Sequence, residues 1–302
     1  MPARDSKLIS RLRWYDFRQG TGPLRGAWGD RALQALVTAF EGRGNPQIQA
    51  HRVLGMALAA DEDFKAAIEH LREVARLDPS NPRAHIDLGN VLQHHFEYKA
   101  ATAEYREAVK LAPESPEAHA ALALALANTD LGQSAVEEFS EALRLRPNFP
   151  MAQAGLAYVL SQQLGRVDEA IAAYQKALEL DPRLAQALDG LARTEAEKQA
   201  AADRLAERRK SAQENPNQAL PHADLGVDQA RAGQVEGAVQ ELRRAVALEP
   251  GMGRAHADLA LLLFLRKEYA AAWQEAQSAE QNGFPAPADL SAILRSKSGQ
   301  AQ

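Results

Sequence analysis

The chain of 302 residues contains no cysteine. This absence excludes disulfide bonds, thiolate catalysis and zinc sites that depend on cysteine ligands. Aromatic residues are also few, at 6% of the chain, and runs rich in valine, isoleucine and threonine are scarce. These shortages argue against a β-sheet protein, whereas the abundance of alanine and leucine favours helices.

Long apolar runs are absent as well, since none reaches the roughly 20 residues that a membrane-spanning helix needs. The first residues, MPARDSKLISRLRWYDFRQG, include basic side chains but lack the apolar core of a secretory signal. We therefore expect a cytoplasmic protein. The formal net charge is −5, and the main body has no basic stripe of the kind that follows nucleic-acid phosphates. Binding to nucleic acid is accordingly disfavoured.

Prolines recur along the chain at an almost constant interval. Six of them follow one another at spacings of 34, 34, 35, 34 and 34 residues, namely Pro79, Pro113, Pro147, Pro182, Pro216 and Pro250. Each is preceded by a stretch rich in alanine and leucine with a helical period. Such a fixed interval indicates a repeat architecture.

The residues between the prolines identify the type of repeat. In the segment from Pro82 to Pro113, a Leu88-Gly89 pair is followed by Ala101, Tyr105 and Ala108, and neighbouring segments keep this order of small and large residues. The pattern resembles the tetratricopeptide repeat, a helix–turn–helix of 34 residues with small residues at its eighth, twentieth and twenty-seventh positions and proline at the thirty-second. The phrase GRVDEAIAAYQKALELDP, from Gly165 to Pro182, is close to the family consensus for the turn and second helix. The resemblance covers roughly residues 47 to 285.

This resemblance implies an all-α fold, a right-handed superhelical solenoid of stacked antiparallel helix pairs. A helix of about 13 residues is marginal alone in water, so one unit must bury its apolar face against the next. We expect a basic N-terminal extension over 1–46, the solenoid over 47–286, and a capping helix with a tail over 287–302. The expected units are 48–81, 82–115, 116–149, 150–184, 185–218, 219–252 and 253–286, of which the fourth has one extra residue near Gln162 to Leu164.

The fifth unit departs from the pattern. Its turn is replaced by good helix formers from Glu195 to Gln199, and Arg204 stands at the twentieth position, where a small residue is expected. Two interpretations follow. Either this is a drifted helix pair that still stacks, or it is a continuous or loosened helix that bends the solenoid.

The two ends of the chain are atypical, as terminal repeats must be. Residues 31–41 are predicted to form one amphipathic helix, and the C-terminal helix is predicted to place Leu290, Ile293 and Leu294 on the last unit. The first 31 residues carry seven Lys or Arg and three Asp or Glu. Apolar and aromatic residues are interspersed among these charges, namely Leu8, Ile9, Leu12, Trp14, Tyr15 and Phe17. This basic amphipathic segment is either a cap that folds back on the acidic body or a contact for a partner or an anionic membrane surface.

We find no catalytic motif: no phosphate-binding glycine loop, HExxH, nucleophile elbow or EF-hand loop. The sequence therefore predicts no enzyme activity, no cofactor and no metal. Histidine does recur at the fourth position of five units, as His51, His85, His119, His222 and His256. Equivalent positions of stacked helices lie roughly 10 Å apart, whereas zinc needs ligands about 2 Å from one centre. We therefore interpret these histidines as packing residues with a polar tip.

The family resemblance implies that the second, fifth, ninth, twelfth and thirteenth positions of each first helix line a concave, peptide-binding groove. Carried over by position, this groove includes Arg52, Met56, Arg83, Ile86, Asn90, Gln93, His94, Leu124, Asn128, Tyr158, Arg193, Val227, Arg231, Arg254 and Leu261. The predicted partner is thus a protein or peptide, and arginines within an acidic body favour an acidic one. Two alternatives stay open: a substrate-recognition or regulatory subunit of an enzyme complex, and an RNA-binding helical repeat.

Overall fold

The computed structural model describes residue 34 and residues 36–38, 45–285 and 288–297, with the backbone alone for residues 288 and 289. All regular secondary structure within these ranges is helical. The chain divides into two compact units, Met1–Thr194 and Glu195–Gln302, which are described separately as the first and second unit.

The first unit consists of helix pairs joined by short turns. Its helices are α1 (Pro46–Ala60), α2 (Phe64–Leu77), α3 (Pro82–His94), α4 (Tyr98–Leu111), α5 (Pro116–Ala127), α6 (Gly132–Leu145), α7 (Pro150–Gln162) and α8 (Val167–Leu180), followed by the beginning of α9 (Ala185–Glu214). Each odd-numbered helix packs against the even-numbered helix after it, and each pair packs against the next.

The second unit contains the remainder of α9 and two further pairs. Its helices are α10 (Ala219–Arg231), α11 (Val235–Leu248), α12 (Gly253–Leu265), α13 (Tyr269–Gln281) and α14 (Ala288–Lys297). Within each unit the helix pairs are stacked as the repeat pattern predicts, and the fold of the described residues is all-α.

Local sequence signals account for where the helices begin and end. The side chains of Asn81 and Ser115 accept hydrogen bonds from the free N–H groups of the first turns of α3 and α5, and a proline follows each cap. The residue before a repeated proline leaves the α region, as Asp78 does with φ −140° and ψ 75°. Because proline crowds the preceding residue, the helix ends there.

The turn inside each pair follows one pattern. The N–H of the sixteenth position donates to the C=O of the eleventh, as from Glu97 to Leu92 at 2.9 Å, and the residue between the helices takes a left-handed conformation. In the fourth repeat the corresponding bond runs from Arg166 to Leu160 at 2.8 Å, one residue further, and Gly165 has φ 63°. This longer turn holds the extra residue that the proline spacing predicts.

Small residues allow the two helices of a pair to approach closely. Ala67, Ala101 and Ala135, all at the twentieth position, have no exposed surface. At the eighth position, a Cβ added to Gly89 would lie 2.6 Å from Cε1 of Tyr105. A larger side chain there would overlap the second helix, which confirms the packing role predicted for the small residues.

The fifth repeat has no turn, because α9 is one continuous helix of 30 residues. The interpretation as a drifted helix pair is therefore wrong, and the alternative of a continuous helix is correct. Ala187 is buried at one end of α9 and Ala212 at the other, but every side chain from Glu195 to Arg204 is exposed. The helix formers that replace the turn leave no residue to interrupt the backbone hydrogen bonds.

At the C-terminus, α14 packs on the second unit through fewer residues than expected. Leu294 is fully buried and Leu290 contacts the core cluster. Ile293 is 42% exposed and is not among the residues of that cluster. Its position, one residue before Leu294, turns its side chain about 100° away from the buried face of the helix.

At the N-terminus, the described residues 34 and 36–38 are helical, and Leu36 is buried in the core of the first unit. These residues agree with the amphipathic helix expected over 31–41. The rest of that helix and the basic amphipathic segment before it lie outside the described residues.

Candidate interaction faces

The first helices of successive repeats lie side by side in the first unit, with α3 against α5 and α5 against α7. Residues at their ninth positions project from this row. Met56, Leu124 and Tyr158 are 43%, 40% and 49% exposed, although all three are large and apolar or aromatic. Arg83 is exposed as well. We call these three side chains and Arg83 the first-unit face.

Other predicted groove residues of the first unit have partners within the fold. The Nε of Arg52 donates to Oδ2 of Asp87 at 2.6 Å, and Asp87 is only 7% exposed. This ion pair joins α1 to α3. An arginine held in this way is not free to attract an acidic peptide, so the expected preference for acidic partners loses its support at this position.

The amides of the predicted groove also serve the fold. Tyr105, whose pKa is raised by burial, donates its hydroxyl hydrogen to Oδ1 of Asn90 at 2.7 Å. Asn128 donates its side-chain N–H to the carbonyl of Leu124 at 3.0 Å. Gln93 and Ile86 are partly buried, whereas His94 and Arg193 are exposed.

In the second unit, a cleft of about 280 Å³ lies between α10 and α12, with Arg208 of α9 at its side. The residues that line it are Arg208, Leu220, Ala223, Asp224, Val227, Asp228, Arg231, Met252, Arg254, Ala255 and Asp258. We call it the second-unit cleft. It brings together the predicted Val227, Arg231 and Arg254. Leu261 is also exposed, at 47%, but it does not line the cleft.

The charges of this cleft alternate. Arg208 lies 2.8 Å from a carboxylate oxygen of Asp224, and Arg231 lies 3.3 Å from one of Asp228. Burial raises the pKa of Asp258, while the positive charges of Arg254 and Arg231 oppose that rise. Three aspartates thus balance three arginines, so the cleft has no excess positive charge and the expected preference for acidic peptides is not supported here.

The set of groove residues carried over by position does not contain these aspartates, because Asp224 and Asp258 lie at the sixth position and Asp228 at the tenth, and neither position is among those that line the family groove. Asp87 also occupies the sixth position, and the recurrence of aspartate there in three repeats is a signal that the sequence does contain. Leu220 and Leu265, each 61% exposed, lie at groove positions of the family but do not belong to the predicted set.

The recurring histidines make a repeated structural contact. In four repeats Nδ1 lies within hydrogen-bonding distance of a glutamate 19 residues later, as between His119 and Glu138 at 2.6 Å. The Nε2 of the same ring lies 3.0 Å from the carbonyl of Pro113, at the end of the preceding repeat. Each such histidine therefore ties its helix to the second helix of its own repeat and to the loop before it, which supports the packing interpretation.

The first repeat differs, because His70 replaces the glutamate and its Nδ1 lies 2.9 Å from Nδ1 of His51. Burial lowers the pKa of His51 below its ordinary value. The unfolded chain therefore binds a proton there at a higher pH than the folded chain does, so this group destabilises the fold as the pH falls below about 6.5.

We expect His70→Glu to remove this acid sensitivity. The substitution places a carboxylate beside His51, and a nearby negative charge favours the protonated form of that histidine. Urea unfolding followed by circular dichroism at pH 7.5 and 5.5 measures the effect. The stability of the variant relative to the natural chain should increase at the lower pH, by about 1 kcal/mol. A difference that is equal at both pH values would contradict the assignment.

Family models decide the classification of the chain. One tetratricopeptide repeat model matches residues 58–125, and a second matches residues 29–82 and 223–287. A TPR repeat model matches residues 162–194. Together these segments make up more than half of the sequence. The chain belongs to the tetratricopeptide-repeat family. As a tetratricopeptide-repeat protein it shares the general role of the family's repeats as scaffolds for protein–protein interaction.

Several solved structures are similar to this tetratricopeptide-repeat protein. The MamA protein in its crystal structure is 20% identical in sequence, and the match covers 68% of this chain and 94% of the MamA chain with a TM-score of 0.42. YrrB, described as a TPR protein with an unusual peptide-binding site, is 18% identical over 78% of this chain and 100% of its own, with a TM-score of 0.42. The APC/C hetero-tetramer Cut9-Hcn1 is 16% identical over 88% of this chain, with a TM-score of 0.45, and the match spans 45% of that chain.

Among curated proteins, none matches this tetratricopeptide-repeat protein in sequence. None of the helices in the described part of the chain is long and apolar enough to cross a membrane.

Proposed function

We propose that this tetratricopeptide-repeat protein is a non-catalytic scaffold that binds an extended peptide segment of another protein on the first-unit face. One observation carries the proposal: large apolar or aromatic side chains at the same position of first helices are 40 to 49% exposed, at Met56, Leu124 and Tyr158. The family and the fold support an interaction scaffold in general, and this surface supports the site.

The geometry of the helix row suggests how a peptide is recognised. Leu124 and Tyr158 lie on neighbouring helices, whose axes are about 10 Å apart. An extended chain advances about 3.3 Å per residue, so the two side chains suit apolar residues about three positions apart in the ligand. Each such residue gains about 1.5–3 kcal/mol on full burial. The exposed Arg83 supplies a polar contact at the rim that fixes the register of the peptide.

Selection from a random peptide display library tests the proposal. The full chain is the bait, and the affinity of selected peptides is measured by fluorescence anisotropy. We expect Leu124→Ala and Tyr158→Ala each to weaken binding about tenfold or more, since such anchors contribute about 1.4 kcal/mol or more. Leu111→Ala is the matched control, because Leu111 is 39% exposed but lies on the second helix α4, and its substitution should leave affinity unchanged.

Two results would overturn the proposed site. The first is affinity that stays the same in the Leu124→Ala and Tyr158→Ala variants. The second is a selection that yields no peptide, with retention instead of single-stranded RNA in a salt-dependent manner, which would favour an RNA-binding repeat.

A further inference from the structure

Phe96 occupies an unusual place in the turn of the second repeat. Its φ is 63°, in the left-handed region, and 77% of its surface is exposed. A residue with a side chain loses roughly 1–2 kcal/mol in this conformation, and an exposed aromatic ring recovers nothing through burial. The choice of phenylalanine is thus unfavourable for folding on two counts, and such outliers point to function.

The equivalent turn residues in other repeats show what folding alone prefers. Gly165 and Gly233 occupy the left-handed position in two repeats, and in three others the residue is polar, namely Glu62, Asp130 and Lys267. Phe96 is the aromatic exception among these turns of the described chain. Its neighbour Tyr98 lies edge-on, with the ring centroids 6.1 Å apart.

A surface cleft of about 550 Å³ opens beside this ring, between the turns of the second and third repeats. It is lined by Phe96, Glu97, Tyr98, Lys99, Ala100, Asn128, Thr129 and Asp130. We call it the turn-edge cleft. Leu131, the next residue along the chain, is 47% exposed as well. The cleft therefore combines an aromatic wall with apolar surface at its rim.

The turns that join the two helices of each repeat lie along one edge of the first unit, which we call the turn edge. Negative charge is concentrated in the first three of these turns. The turn of the first repeat reads Asp61, Glu62 and Asp63, and the next two turns add Glu97 and Asp130. Lys99 adds one positive charge to the cleft lining, so the first three turns together remain negative. The fourth turn carries Arg166, which pairs with Glu169, and the seventh carries Arg266 and Lys267 with one glutamate, Glu268. A ligand with apolar and basic side chains is thus attracted to the first three turns and not to the later ones.

We propose that the turn-edge cleft binds the chain's own basic amphipathic segment, from Lys7 to Arg18. That segment has the complementary composition, with Arg11 and Arg13 next to apolar and aromatic residues that include Leu12 and Trp14. Aromatic rings are the chemical complement of the exposed ring of Phe96, and the arginines are the charge complement of the acidic turns. The contact is independent of peptide binding on the first-unit face and goes beyond that proposed function.

The chain is long enough for this contact to form within one molecule. Gln34 is the first described residue, and Leu36 beside it is buried in the first unit. The start of α1 and the turn at its end are separated by the length of the helix, which is about 22 Å for its 15 residues. The segment from Arg18 to Gln34 spans up to about 50 Å when extended.

The absence of cysteine makes the test specific, because two introduced cysteines are the only labelling sites in the full chain. Ser10→Cys lies in the proposed ligand, and Gln133→Cys lies at an exposed position near the cleft. Spin labels at these sites report their separation by pulsed electron paramagnetic resonance. We expect a dominant short distance, and its loss on Phe96→Gly, which suits the left-handed backbone and keeps the fold.

Lys267→Gly is the matched control, since it makes the same backbone change at the same turn position, φ 65°, without removing an aromatic ring. It should leave the short distance in place. The absence of a short distance in the natural background, or its persistence in Phe96→Gly, would overturn the proposal. A short distance that appears only between singly labelled chains after mixing would overturn it too, because the occupant is then a second copy.

Discussion

Phe139→Ala is expected to lower the free energy of unfolding of the first unit by about 4 kcal/mol, within the range measured for buried aromatic residues. The ring of Phe139 has no exposed surface. It lies on α6 and packs against Gly155 of α7, so it belongs to the interface between the third and fourth repeats. Its removal leaves a cavity that the surrounding alanines are too small to fill.

Urea unfolding followed by circular dichroism measures this loss. The control is Leu265→Ala, a large-to-small substitution at a residue that is 61% exposed, for which we expect a change within about 0.5 kcal/mol. Similar effects of the two substitutions would contradict the assignment of Phe139 to the core.

Gly155→Val is expected to lower the free energy of unfolding by about 3 kcal/mol, at the upper end of the usual overpacking cost. Replacing a glycine inside a helix ordinarily stabilises it, by up to about 1 kcal/mol for alanine. Here a Cβ would lie 2.7 Å from Cε1 of Phe139 and still closer to Cζ. Because the ring is fully buried, it has no free space to move into.

Two comparisons isolate this steric effect in urea unfolding. Gly251→Val adds the same side chain where the nearest atom to a new Cβ is 4.0 Å away, so it should change stability by less than about 0.5 kcal/mol. The double variant Gly155→Val with Phe139→Leu should lose less stability than the sum of the two single losses, since the smaller side chain makes room. Additive losses would show that the two residues do not compete for one space.

Much of the fold could be predicted because its signals are local. A proline ends a helix through its own ring, and a glycine or alanine admits a neighbouring helix through its own small size. The extra residue in the fourth turn followed from a single interval of 35 residues. In the fifth repeat, local signals left two interpretations, because the missing turn residues fit a drifted pair as well as one long helix.

The charges of the candidate faces could not be assigned in the same way. Arg52 and Asp87 belong to successive repeats, 35 residues apart, and only the folded arrangement of the first two repeats brings them into contact. From the sequence alone these arginines are therefore expected to be available to a partner, whereas in the fold aspartates pair with them. The His–Glu contacts are intermediate, since their constant separation of 19 residues is visible in the sequence.

The sequence by itself determined the family, the phase of the repeats, the helix pairs and the residues that keep those pairs close, because each depends on a residue's own size or backbone restriction. Only the tertiary structure decided that α9 is continuous and that Phe96 is exposed in a strained turn. It also decided which arginines form ion pairs with aspartates. Those properties depend on which side chains meet after the helices stack, and on how much water each side chain still contacts.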